Sequence, residues 1–221
     1  MAGEAEKVLL TGEPEKVLLT GEPAEVSLIG EQKMKNYAIV YSSSTGNTRQ
    51  LAEAVKAGLE KACSDKTPEQ GQAVLEMGKC LYFGEAGEEA ARRAQEAEVV
   101  FAGFWTDKGT CHEQMADFLK TLRGKQVFLF GTAGFGESEA YFSQILSRVK
   151  ENLDSSNTCG GSWMCQGRMP QAVRRRYEAM LETEPQRAQM LIQNFDNALS
   201  HPDEQDQEKL LQTVIDYFSR I

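Results

Sequence analysis

The stretch from Asn36 to Leu59, NYAIVYSSSTGNTRQLAEAVKAGL, constrains the fold more than any other part of the chain. Tyr37-Ala38-Ile39-Val40-Tyr41 is short, β-branched and aromatic, which suits a strand buried on both faces of a parallel sheet. The side chains then shrink abruptly. Ser42 to Thr48 carries five hydroxyls, one amide and one glycine, and Ala52, Val55 and Leu59 follow at helical spacing. A helix therefore begins inside the hydroxyl-rich loop or just after it.

The first N–H groups of a helix lack intrahelical acceptors and lie at the positive end of the macrodipole, so an anion is stabilised there without any basic side chain. The loop holds no lysine or arginine, and Arg49 comes only after it. No G-x-x-x-x-G-K-[ST] run is present, which argues against a nucleoside triphosphate with magnesium. A hydroxyl run before a helix can also be a plain N-cap. This density of hydroxyls directly after a buried strand points instead to a monophosphate held by neutral donors.

Four further strands are expected downstream. The second falls within Ala73–Met77 or Lys79–Phe83, with Gly78 dividing the apolar material. A helix over Gly84–Ala97 has its glutamates early and its arginines late, as the helix dipole favours. Glu98–Phe104 is almost continuously apolar, the pattern of a central parallel strand. It opens into Trp105–Thr110, and Cys111–Leu122 is amphipathic. Gln126–Phe130 is the next strand and opens into Gly131–Ser138; a helix over about 139–153 and a last strand within Thr158–Gln166 follow. Strands alternating with helices predict a parallel sheet covered on both faces by right-handed crossovers.

The chain outside that core divides into two pieces. Residues 1–34 carry a nine-residue repeat, Glu6–Pro14, repeated without change as Glu15–Pro23 and then decaying from Ala24. Units this short bury little, so the expectation is a mobile or loosely attached extension. Residues 168–221 are expected to be helical over 171–182, 186–199 and 203–219, with Pro170, Pro185 and Pro202 at first turns. One of these helices should cover the sheet.

Charge and cysteine content exclude several classes. A net charge of −9 disfavours nucleic acid and anionic membranes as partners. Five cysteines without a C-x-x-C pair, beside two histidines, suggest neither a zinc site nor a disulfide framework, and fit reduced thiols in a cytoplasmic protein. The acidic start and short apolar runs lead us to expect neither a secretory leader nor a membrane span.

Open parallel sheets bind ligands beyond the carboxyl ends of their strands, where strand order reverses. Three loops reach that place. The first offers phosphate donors, the second carries Trp105, and the third supplies glycine-rich backbone that can approach a flat ring. Phosphate at one end and an aromatic wall at the other describe a pocket for flavin mononucleotide (FMN). Over Lys35–Gln166 the sequence resembles the flavodoxin family. Ser43-Ser44-Thr45-Gly46-Asn47-Thr48 matches its [TS]-x-T-G-x-T phosphate motif, Trp105 falls where many flavodoxins place a ring-stacking tryptophan, and Tyr141-Phe142 is similar to the aromatic pair opening the helix after the third loop. The third loop departs from the family's acidic pattern with a stacking tyrosine, and Phe135 is the loop aromatic left to replace it.

The resemblance implies a doubly wound five-stranded sheet of order 2-1-3-4-5 over residues 35–167 and a non-covalent FMN. Its binding residues would be Ser43, Ser44, Thr45, Gly46, Asn47 and Thr48 for phosphate, Trp105 for stacking, and Thr106, Asp107, Gly131, Thr132, Gly134 and Phe135 around the ring. Asp107 and Lys108 could equally form an exposed ion pair, and His112 reads as a capping or surface histidine. The implied function is electron transfer between a reductase and an acceptor enzyme. The runs Gly103–Thr110 and Ser200–Glu204 resemble a subgroup from anaerobic bacteria, some of whose members are encoded beside tetrapyrrole (bilirubin) reductases. A flavin-dependent quinone, porphyrin or nicotinamide oxidoreductase on the same fold, and an interaction protein without flavin, are the alternatives.

Overall fold

The computed structural model describes residues 34–64, 77–136 and 138–221, so the nine-residue repeat and the Ala73 end of the second expected strand lie outside the described residues. Strands β1 (Lys35–Tyr41), β2 (Met77–Glu85), β3 (Val99–Asp107), β5 (Gln126–Ala133) and β6 (Thr158–Gln166) form a parallel sheet in the order β2-β1-β3-β5-β6. The reversal of winding falls between β1 and β3, which places the loops after those two strands side by side. Helices α1 (Asn47–Ser64), α2 (Glu88–Ala94), α3 (Glu113–Thr121) and α4 (Glu139–Lys150) make the crossovers.

Each strand sends alternate residues to opposite faces, and each face has its own core. Ala38, Val40, Val100, Ala102, Val127 and Leu129 meet α2, α3 and α4. Tyr37, Ile39, Phe101, Phe128 and Phe130 meet α1 and a C-terminal helix, α7 (Glu204–Phe218). At the binding end of the central strands two phenylalanines fold over two glycines. Gly103 is paired with Phe130 and Phe104 with Gly131, and a Cβ on either glycine would come within 2.4–2.5 Å of the facing ring. That packing requires glycine on both strands and lets the sheet stay tight where the loops leave it.

Several boundaries differ from the sequence expectation, each because strand pairing runs further than the apolar run. β2 follows β1 as far as Glu85 opposite Tyr41, so α2 starts only at Glu88. β5 pairs with β6 through Ala133, which puts Gly131 and Thr132 in the strand and opens the third loop at Gly134. β3 continues through Trp105, Thr106 and Asp107 and turns back into a two-residue strand, β4 (Thr110–Cys111), which the sequence reading did not foresee. Its turn is Lys108-Gly109 with φ of 49° and 80°, the positive values that a two-residue hairpin turn of this hand needs at both positions. Cys111 is held in that ladder, and α3 begins after it.

After β6 come α5 (Gln171–Ala179), a 3₁₀ turn (Met180–Glu182) and α6 (Pro185–Ala198), and then α7. The last helix is the one that covers the sheet. Leu210, Val214, Tyr217 and Phe218 are buried against α1 and the central strands, with the Phe218 ring stacked 6.2 Å from Phe101. Asp203 and Asp206 close its N-terminus as a reciprocal capping box. Helices α5 and α6 pack on each other around Phe195, whose ring lies 5.6 Å below the Arg174 guanidinium. No helix among the described residues is long and apolar enough to cross a membrane.

Candidate functional site

The first loop turns into α1 through Gly46, at φ 87°. Gln50 N–H donates to the Gly46 carbonyl, and the Ser43 hydroxyl accepts from Arg49 N–H at 3.3 Å, which satisfies one of the amides that a helix start leaves open. Ser44 and Thr45 stand exposed at the mouth, free of side-chain duties in the fold. Asn47 and Thr48 are buried and already engaged. The Thr48 hydroxyl meets that of Thr132 at 3.1 Å, tying α1 to β5, and Asn47 Nδ2 donates to the Arg168 carbonyl at 2.9 Å. Within the motif, therefore, the Ser44 and Thr45 side chains are exposed while the Asn47 and Thr48 side chains hold the loop in place.

These residues line a cleft of about 160 Å³. Ser44, Thr45 and Asn47 form one end, Trp105 and Thr106 one wall, and Thr132, Ala133 and Gly134 the floor. The remaining wall is Gly167-Arg168-Met169-Pro170, directly after β6, which the sequence reading did not include. Trp105 is half-buried, with one ring face stacked on His112 at 4.9 Å and 23°. His112 does this while capping α3, its Nδ1 accepting from Gln114 N–H. The imidazole backs the indole and fixes its plane.

The third loop is clamped from behind. Asn194 of α6, 2 % exposed, donates from Nδ2 to the Gly134 carbonyl at 2.9 Å, and Gln166 Nε2 donates to that same carbonyl and to Asn194 Oδ1. Met169 packs so closely on Gly134 that a Cβ there would lie 2.6 Å from its sulfur. Phe135 stands outside this arrangement. It is 36 % exposed, edge-on to Tyr141 at 6.4 Å, and does not line the cleft. Asp107 sits at the hairpin end, also away from the lining; neither it nor Lys108 has an ion-pair partner among the described residues.

The donor set fits a phosphorylated flavin. Its anion end offers hydroxyls and a helix start, its middle offers an indole face and close glycine backbone, and Thr106 keeps a buried hydroxyl without a partner beside the ring wall. Among the described residues that line the cleft, Arg168 is the one charged side chain. No thiol there is poised to react: burial holds the thiols of Cys80, Cys111, Cys159 and Cys165 above their ordinary range, and all five cysteines are free.

The flavodoxin domain model matches residues 38–215. Two relatives are named flavodoxin-like domain-containing protein BilS. The one from Clostridium symbiosum (strain WAL-14163) is 44% identical over 183 residues, covering 77% of this chain and 89% of its own. The one from Clostridioides difficile (strain CD3) is 28% identical over 170 residues, covering 76% and 88%. Among solved structures, a short-chain flavodoxin associated with a bacterial microcompartment superposes with a TM-score of 0.52 at 16% identity, covering 85% of this chain and 98% of that one. That likeness is one of fold.

Proposed function

The chain belongs to the flavodoxin family, whose cofactor is FMN, and we propose that it shuttles electrons between a separate reductase and an acceptor enzyme. The observation that carries this reading is the cleft's lack of acid–base machinery. Arg168 apart, every described residue lining the cleft is uncharged, so no carboxylate, histidine or lysine is placed there as a proton donor for a substrate. When bound, FMN supplies the electron chemistry. The chain's residues supply position. Ser44, Thr45 and the first amides of α1 hold phosphate, Trp105 backed by His112 presents a flat face to the ring, and the clamped Gly134 and Thr132 bring β5 backbone against its edge.

The acceptor we propose is a tetrapyrrole reductase. Support comes from the likeness of Gly103–Thr110 and Ser200–Glu204 to the anaerobic subgroup, and the free thiols suit a cytoplasmic setting. The experiment is anaerobic addition of NADPH to the flavin-loaded protein, followed by a catalytic amount of a flavodoxin reductase. The flavin should stay oxidised with NADPH alone and bleach once the reductase is present. Bleaching by NADPH unaided would replace the carrier with an enzyme.

A further inference from the structure

Resting on the FMN reading above, we propose that Arg168 is a phosphate ligand of the cofactor site and sets its selectivity for phosphorylated over unphosphorylated flavin. The 43–48 loop itself carries no cation, and from the sequence the anion would be held by neutral donors alone. The fold supplies a cation from 121 residues away.

Gly167 makes the delivery possible. Its N–H donates to the Ala133 carbonyl, and a Cβ on it would meet Asn47 Nδ2 at 2.7 Å and Thr132 Cβ at 3.2 Å, so only glycine lets the chain leaving β6 pass this close to the start of α1. The next residue is then pinned on both sides: Arg168 N–H donates to the His201 carbonyl at 3.0 Å, and its own carbonyl accepts from Asn47. Its backbone is set before any ligand arrives.

The guanidinium lies along the first turn of α1. Its Nε reaches Asn47 Oδ1 at 3.5 Å and its Nη2 reaches Gln50 Oε1 at 3.3 Å, both uncharged and both long. Gln50 is itself oriented by donating to the Pro202 carbonyl. No carboxylate pairs with Arg168 among the described residues, and Arg168 lines the same cleft as Ser44 and Thr45. An arginine held by two weak neutral contacts beside a helix start is placed to exchange them for a charge-assisted pair with phosphate, with donors to spare. A dianion there gains both the helix dipole and a fixed cation.

The test uses the purified full chain stripped of flavin, titrated separately with FMN and riboflavin by flavin fluorescence. Arg168→Gln should weaken FMN binding about 10- to 100-fold, leave riboflavin within about twofold, and flatten the salt dependence of FMN affinity. Arg168→Lys, which keeps the charge and loses the planar fork, should fall between. Equal loss of both flavins would make Arg168 a purely structural clasp, and no change in either would make it a bystander; each overturns the proposal. Wild-type protein that binds neither flavin would instead remove the FMN reading, and this inference with it.

Discussion

Replacing Asn47 with alanine separates two roles that the sequence motif merges. In the family motif Asn47 belongs to the phosphate loop, whereas its side chain here is 4 % exposed and hydrogen-bonded to the Arg168 carbonyl at 2.9 Å. That bond joins the start of α1 to the segment after β6, two pieces of chain that otherwise meet through Gly167 and the long contacts of the Arg168 guanidinium to Asn47 and Gln50. Losing one neutral amide–carbonyl bond costs about 0.5–1.5 kcal/mol net. The 3.5 Å contact to Arg168 Nε adds little. With the lost side-chain packing, the flavin-free protein should lose about 1–2 kcal/mol, a fall of roughly 2–8 °C in midpoint for a domain of this size. The assay is thermal and urea unfolding of wild type and Asn47→Ala, both stripped of flavin, with FMN affinity measured in parallel. Weaker FMN binding with an unchanged flavin-free midpoint would refute the argument, because it would make Asn47 a simple phosphate donor with no part in holding the cleft together.

Other perturbations follow from the same geometry. His112→Ala removes the ring behind Trp105; at about 0.5–1.5 kcal/mol for such a pair, FMN affinity should fall roughly 2- to 10-fold and the near-ultraviolet signal of Trp105 should broaden. An unchanged signal would mean that the indole needs no support. Phe218→Ala empties a buried place between α7 and Phe101 and should cost about 3–5 kcal/mol in urea unfolding, whereas a change below about 1 kcal/mol would show that α7 does not cover the sheet as described. The Asp203 carboxyl is held below its usual range, chiefly by the Asp206 N–H that it caps. Between its folded and unfolded values the unfolded chain binds the extra proton, so stability rises with pH through the region just below pH 4 and is lost as pH falls through the folded value. Asp203→Asn should flatten that acid limb, read by urea unfolding at a series of pH values.

What could be read from the sequence follows the strength of local signals. Tyr37–Tyr41, Glu98–Phe104 and Gln126–Phe130 are the central strands, buried on both faces, and a continuous apolar run is what that burial demands. The second strand has two candidate positions in the sequence because it is an edge, half-buried along most of its length, with Gly78 and Gly84 interrupting its pattern. The β4 hairpin was missed although Gly109 marks its turn, since a two-residue strand has no periodicity to detect. Within the site, the hydroxyl loop and Trp105 were legible because each is contiguous in sequence. Gly167-Arg168 was not, because its meaning depends on where β6 ends. One rule points to it: parallel strands open at the same end of the sheet, so the loop after β6, the neighbour of β5, is a candidate wall of the cleft beside the other three. The clamp from Asn194 to Gly134 carried no such signal, since an asparagine on an amphipathic helix has no local pattern that names a distant carbonyl.

The central claim is that this cleft holds FMN with its phosphate at the start of α1 and its ring beside Trp105. A crystal structure of the chain grown with FMN tests it directly. The account predicts phosphate within hydrogen-bond distance of Ser44 and Thr45 and the ring lying against the Trp105 face that His112 leaves free. Flavin found elsewhere on the molecule, or bound here with its phosphate pointing into solvent, would contradict it.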